Sequence, residues 1–310
     1  MVSGFFDRRD LPAYVFDKRF AVDDIAKGDV ISTEKGPITV QKFIGGGAYG
    51  HVFMGILDSG SLGRIRVAIK CQRPNAPILP FKGMIPKGYS MIQHEFKMML
   101  MMSETTGFPE IYTGNFKGNV KYYVMQLLGR SLESIRKSAR NNQVEPAIAL
   151  PMAIQMINRI EAIHQKGYLA YDLHLGNFLY KDGTVYLIDL GLAIPYIVDG
   201  KHIRQKGTHI PNRVKNHALT TRHDENGETY SRRDDVERTL ILVVYMLSGR
   251  LPWSNLPPER IHVIKRTLTA RRMARDVPWM RGIFEHVFRL GFESEPNYQF
   301  IREEITREMT

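Results

Sequence analysis

A chain of 310 residues, 43% hydrophobic and 24% charged, is long enough to bury a substantial core and too ordinary in composition to be collagen-like, low-complexity or coiled-coil. Its net charge of +11, from 43 Lys and Arg against 32 Asp and Glu, suits acidic or polyanionic partners without choosing among nucleic acid, phosphate groups and acidic protein segments. The single cysteine, Cys71, cannot form an internal disulfide, so the expected setting is reducing, cytoplasmic or nuclear. The longest apolar stretch, residues 239–247, falls short of the roughly 20 residues a membrane helix needs, and Asp7, Arg8, Arg9 and Asp10 stand where a secretory signal would be apolar.

Residues 1–37 are charged and without period, and read as an extension ending in the turn-like Glu34-Lys35-Gly36-Pro37. Residues 38–44, 52–57 and 65–70 are rich in β-branched and aromatic side chains separated by glycine turns, which predicts a small antiparallel sheet. A helix is predicted over residues 90–102, whose methionines read as core filler, and two further strands over residues 108–112 and 122–127. After Gly129 the pattern becomes mainly helical, marking a boundary between residues 38–128 and residues 129–310. Residues 146–166 predict a long helix, and residues 234–247 a second that is apolar on nearly every face and therefore central. Shorter helices are expected within residues 258–274, 278–290 and 297–307.

Chemistry first shows in Ile44-Gly45-Gly46-Gly47-Ala48-Tyr49-Gly50-His51-Val52, a GxGxxGxV pattern between two strands. Gly45, Gly47 and Gly50 would leave the hairpin tip bare, able to lie against triphosphate oxygens, although three glycines also suit a merely flexible hairpin. One strand later, Val67-Ala68-Ile69-Lys70 ends in a lysine at the distance expected of a phosphate-binding ammonium. Glu95, in the middle of the predicted helix, could orient that ammonium or stand as an exposed helical carboxylate. The second half supplies Tyr171-Asp172-Leu173-His174-Leu175-Gly176-Asn177 and, after a strand at residues 184–188, Asp189-Leu190-Gly191.

These last motifs resemble the catalytic loop and metal-binding turn of eukaryotic protein kinases. Leu127-Leu128-Gly129-Arg130-Ser131-Leu132-Glu133, Ser231-Arg232-Arg233-Asp234-Asp235, Leu251-Pro252-Trp253 and residues 296–302 narrow the resemblance to the casein kinase 1 superfamily, with its vaccinia-related and tau-tubulin branches. The fold this implies is α+β and bilobal, a small antiparallel-sheet N-lobe with one main helix and a larger helical C-lobe. The implied activity is transfer of the ATP γ-phosphate to Ser or Thr hydroxyls of a protein substrate. By the resemblance, Asp172 takes the hydroxyl proton, Asn177 and Asp189 hold Mg2+, Met125 is the gatekeeper and Gln126 to Leu128 the adenine hinge. Val52, Ala68 and Leu179 then sandwich the base, and Asp235 braces the catalytic loop from within.

Three departures from the family stand out. Ala170-Tyr171 replaces the usual His-Arg, so phosphorylation of the activation segment loses its expected cationic partner, and Ala170 is expected to leave space beside Leu190. His174 replaces a lysine that contacts the transferring phosphate, turning a permanent cation into a titratable one. Residues 197–230 are rewritten, with Lys201, Arg204, Lys206, Arg213, Lys215 and Arg222 either receiving an acidic or phosphorylated substrate or forming a solvated basic loop. These changes leave open an alternative, a kinase-fold scaffold that binds nucleotide with little or no transfer. Without an interleaved aromatic and basic stripe, nucleic acid is the weaker partner, and nothing in the residues sets the oligomeric state.

Overall fold

The computed structural model describes residues 25–46, 50–72, 90–117, 120–205 and 217–310, and the chain divides into two compact units, Met1–Leu128 and Gly129–Thr310. In the first unit, strands β1 (Val30–Thr33), β2 (Gly36–Gly46), β3 (Gly50–Ser59) and β4 (Gly63–Gln72) precede helix α1 (Met91–Met102), which is followed by β5 (Ile111–Asn115) and β6 (Tyr122–Gln126). All six strands form one antiparallel sheet in the order β1-β2-β3-β4-β6-β5. One core is built from Ile38, Val40, Leu57, Val67, Ile69 and Val124, with the buried Ile25 packed among them.

Two sequence expectations shift here. Residues 30–33 are not a lead-in but the first strand, paired with β2 from Val30↔Thr39 to Thr33↔Gly36. The pairing was hidden because an edge strand with one solvated face, Val30 being 62% exposed, carries little apolar signal. The strand expected at residues 108–112 begins instead at Ile111: Phe108 donates its N–H to Thr105 O at 3.1 Å in a turn, and Pro109 has no N–H for a ladder. The apolarity of Phe108 reflects its burial in a loop, 3% exposed.

Helix α1 starts where the Gln93 side chain accepts from Ser90 N–H at 2.9 Å, a capping arrangement. Ile92, Glu95, Met98, Met99 and Met102 lie buried along one face, following the helical period.

The second unit opens with β7 (Arg130–Ser131), α2 (Leu132–Ser138) and α3 (Pro146–Gln165), then β8 (Tyr168–Leu169), the hairpin β9 (Phe178–Lys181) and β10 (Thr184–Leu187), and the short strands β11 (Ile194–Pro195), β12 (Ile197–Val198) and β13 (Lys201–His202). Helices α4 (Arg222–Glu225), α5 (Arg232–Ser248), α6 (Pro258–Arg266), α7 (Ala270–Met273), α8 (Arg281–Val287) and α9 (Tyr298–Arg307) complete it. Residues 258–274 hold two helices, because the Thr269 hydroxyl accepts from Arg272 N–H at 3.2 Å and starts a new one. Similarly, a 3-10 turn at Pro278–Met280 precedes α8 within residues 278–290.

Helix α5 is the axis of this unit. It packs against α3 and α8, and nearly every side chain from Arg233 to Met246 is buried. Asp234 accepts from Ser231 N–H at 2.9 Å to start it, and Gly249 ends it at φ 69, a left-handed conformation that glycine adopts without strain. The first turns of α5 bury Arg233, Asp234, Asp235, Glu237 and Arg238, charges that must be paired where they lie.

Candidate active site

The ladder of the first unit places its functional side chains before any long-range contact is considered. Lys70 on β4 stands opposite Val52 on β3 and Tyr123 on β6, while Ala68 stands opposite Met125. Residues directly across antiparallel strands share a face, and so do residues two apart along one strand. Val52, Ala68, Lys70, Tyr123 and Met125 therefore project from the same side of the sheet. Ala68, Tyr123 and Met125 pack with Ile92 in one buried cluster, with Val52 and Leu127 against it. The three first-unit side chains expected around an adenine ring are thus neighbours.

On that face the Lys70 ammonium donates to Glu95 Oε1 at 2.5 Å. The pair is well buried, with side-chain exposures of 14% and 6%, which answers the question left by the sequence: Glu95 is not a solvated helical carboxylate. Tyr123 OH donates to the same oxygen at 2.7 Å. Sequence reasoning missed Tyr123, because only the β4–β6 register sets it beside Lys70.

The glycine hairpin divides into two physical cases. At Gly50 a Cβ would come within 2.5 Å of Cys71 O, so close strand approach accounts for that glycine. At Gly45 nothing lies within 4 Å of such an atom; packing does not require glycine there, and the space is open to a ligand. Gly47 lies outside the described residues. Ile44, beside the bare position, is 43% exposed. Gln126 pairs with Val67 and donates its N–H to Glu110 O at 2.8 Å, and Leu128 is the last residue of the first unit.

In the second unit the loop from Tyr171 to Asn177 is held by alternation. Tyr171, Leu173, Leu175 and Asn177 are buried, while Asp172, His174 and Gly176 between them keep partial exposure. Asp235 anchors the loop from α5. Its carboxylate accepts from Ala170 N–H at 2.7 Å, Tyr171 N–H at 3.0 Å and Tyr230 OH at 2.8 Å, and His164 Nε2 lies 3.0 Å away. Complete burial alone would push its pKa up, but the hydrogen bonds and charge interaction with His164, together with those from Tyr230 and Ala170, hold it below the ordinary carboxylate range. Asp235 braces the loop as the resemblance implied; His164 and Tyr230, which complete the site, carry no local sequence signal.

Tyr171 takes φ 66, a conformation costing on the order of 1–3 kcal/mol for a side chain of this size and kept only when surroundings enforce it. Its ring packs edge-on against Tyr230 at 4.7 Å.

Asn177 Nδ2 donates to Asp172 O at 3.1 Å. The β9–β10 register pairs Phe178 with Leu187, and Ile188 N–H donates to Asn177 O at 2.9 Å. Asp189 therefore follows directly from the residue bonded to Asn177, so one hairpin brings the backbones of these two residues side by side. Asp189 sits at φ 63, where aspartate is among the better-tolerated side chains. An amide oxygen and a carboxylate are hard donors that suit Mg2+, which takes one or two protein groups alongside phosphate oxygens. Leu179 on β9 pairs with Tyr186 and Ser131.

A family model described as protein tyrosine and serine/threonine kinase matches residues 38–299. The chain belongs to this family. The kinase domain is of mixed α+β class, a curled antiparallel-sheet half and a helical half, as the observed elements require. A protein kinase domain implies ATP, usually with Mg2+, and a protein substrate. No helix among the described residues is long and apolar enough to cross a membrane.

Two observations bear on this kinase's variable parts. The His174 ring turns back on its own loop, where its Nδ1 accepts from Gly176 N–H at 3.1 Å. Gly176 makes the fold-back possible, since a Cβ there would come within 2.8 Å of the same ring atom. Arg222 is not available to a substrate. Its N–H donates to Glu237 Oε1 at 2.9 Å, its guanidinium donates to Phe288 O at 3.2 Å, and that group lies 3.5 Å from the Phe288 ring centroid. Lys201 and Arg204 are exposed, whereas Lys206, Arg213 and Lys215 lie outside the described residues.

Proposed function

We propose that this domain transfers the γ-phosphoryl group of ATP to Ser or Thr hydroxyls of protein substrates, as a divergent member of the casein kinase 1 superfamily. The observation that carries this reading is the buried Lys70–Glu95 ion pair. Taking both charges out of water is costly, and the arrangement is useful where the ammonium must be aimed at α- and β-phosphates. The bare position at Gly45 and the apolar row of Val52, Ala68 and Met125 give a nucleotide a bed on the same sheet.

In this mechanism Lys70 holds phosphate oxygens and Glu95 keeps its ammonium in place. Asp172 accepts the proton of the substrate hydroxyl as that oxygen bonds to the γ-phosphorus and the β–γ bridging oxygen leaves with ADP. Asn177 and Asp189 would hold Mg2+, which supplies neutralisation of the charge that develops on the phosphates. Lys201 and Arg204, with the basic residues that follow them in sequence, suit an acidic or already phosphorylated substrate.

A second reading, a nucleotide-binding scaffold with weak transfer, draws on one observation: the His174 ring turns its Nδ1 to Gly176 N–H, leaving no permanent cation at that position. Purified protein with Mg2+ and labelled ATP, assayed on casein beside Asp172→Asn, separates the two. Incorporation by the unaltered protein, with loss of most of it in the variant, is expected; equal labelling by both sinks the kinase reading.

A further inference from the structure

The side chain with the most unusual position in the second unit is Arg238. It is 2% exposed and lies three residues after Asp235 on the same face of α5. Its Nη1 donates to Tyr171 O at 2.5 Å, its Nη2 lies 3.4 Å from Asp224 Oδ2 of α4, and its guanidinium faces the Tyr230 ring at 5.4 Å. Asp235 meanwhile takes the N–H of the same Tyr171. The residue immediately before Asp172, held at φ 66, is thus gripped at its N–H by an anion and at its C=O by a cation, both from one face of one helix.

We infer that Arg238 is a positioning residue for phosphoryl transfer: with Asp224 as its counter-ion, it locks the Tyr171 carbonyl and so fixes where Asp172 points. This inference rests on the kinase reading of Asp172. The sequence has lost the arginine ordinarily found at position 171, and the structure supplies a cation to the same loop from the interior instead. The pair spans 14 residues between α4 and α5, so it also ties the catalytic loop to the chain that leads into the central helix. Burial by itself would lower the guanidinium's pKa; Tyr230, Asp224, Asp172 and Asp235 outweigh that and keep it firmly charged. The lock is therefore permanent and does not titrate.

The test compares Arg238→Lys and the double variant Arg238→Met/Asp224→Leu with the unaltered protein, with exposed Arg281→Gln as control. Replacing both members of a buried pair by apolar groups often leaves a protein folded. Three quantities are read: kcat and KM for ATP on casein, the stoichiometry of a fluorescent ATP analogue, and hydrogen exchange of the Tyr171 and Asp172 amides. For the double variant the expected result is a kcat lower by about tenfold or more, with KM for ATP and stoichiometry within about twofold, and exchange faster by about tenfold. Arg238→Lys should fall between, and it carries the test if the double variant does not fold. Unchanged kcat and exchange in a folded variant would overturn the inference, as would parallel losses of kcat and stoichiometry, which mark a purely structural role. Should the unaltered protein transfer no phosphate, the kinase reading fails, and exchange alone decides whether Arg238 locks the loop.

Discussion

Replacing Tyr123 by phenylalanine removes one oxygen from the interior of the first unit and leaves the ring volume in place. That oxygen donates to Glu95 Oε1 at 2.7 Å, and the same atom receives the Lys70 ammonium at 2.5 Å. With Tyr123 fully buried and the Glu95 side chain 6% exposed, the lost bond is not simply replaced by bulk water. A hydrogen bond to a charged partner contributes about 1.5–3 kcal/mol, so the oriented state of Glu95 should become roughly ten to a hundred times less favoured relative to its alternatives. If, as proposed, only the oriented state presents Lys70 to the phosphates, apparent ATP affinity falls by whatever fraction of the population is lost. We expect KM for ATP, or the dissociation constant of a fluorescent analogue, to rise about tenfold, with a loss of about 1.5–3 kcal/mol in urea unfolding. Nucleotide binding within about twofold of the unaltered protein, alongside a severe defect in Glu95→Gln, would refute the reasoning. It would mean that Lys70 alone fixes the carboxylate and that the Tyr123 hydroxyl is a bystander.

Two further predictions follow from the second unit. His174→Lys puts a permanent cation at a position where the ring now folds back on Gly176, so kcat on casein should rise about tenfold; a kcat equal to or below that of the unaltered protein would remove His174 as the cause of weak transfer. Lys265 donates to Thr220 O at 2.7 Å beneath the Trp253 ring, and burial depresses its pKa to about 7 despite the opposing pull of Glu225 and Glu237. Above about pH 7 the folded protein sheds this proton while the unfolded chain keeps it up to about pH 10.4. The unfolded state then binds more protons and stability rises with pH. Integrated from pH 7 to pH 9, the gain is about 2 kcal/mol, to be seen as a denaturant-unfolding difference that Lys265→Met abolishes. An identical pH profile in the variant would show that Lys265 is not the group responsible.

Local chemistry made much of this protein readable. The strands around Lys70 announce themselves by β-branched runs between glycine turns, and α1 by apolar spacing behind Ser90, because in both cases one face is buried and its period is written in neighbouring residues. Asp172, Asn177 and Asp189 were readable for a different reason: they stand in motifs that resemble a kinase catalytic loop and metal-binding turn. Phe108 and residues 30–33 show where this fails. A buried loop residue looks like a strand residue, and an edge strand looks like a linker, since apolarity reports burial and burial has more than one cause.

What tertiary structure alone decided is the set of groups that hold the reactive ones in place. Tyr123 meets Glu95 across 28 residues of chain and Arg238 meets Tyr171 across 67, distances at which no periodicity survives. The same long range settled opposite fates for similar side chains: Arg222 is occupied by Glu237 and Phe288, whereas Lys201 and Arg204 remain exposed. A charge in sequence is only a charge. Whether it is a solvated side chain, a buried brace or a catalytic group depends on which partners packing brings within hydrogen-bonding distance, and burying it without them would cost more free energy than a folded domain has to spare.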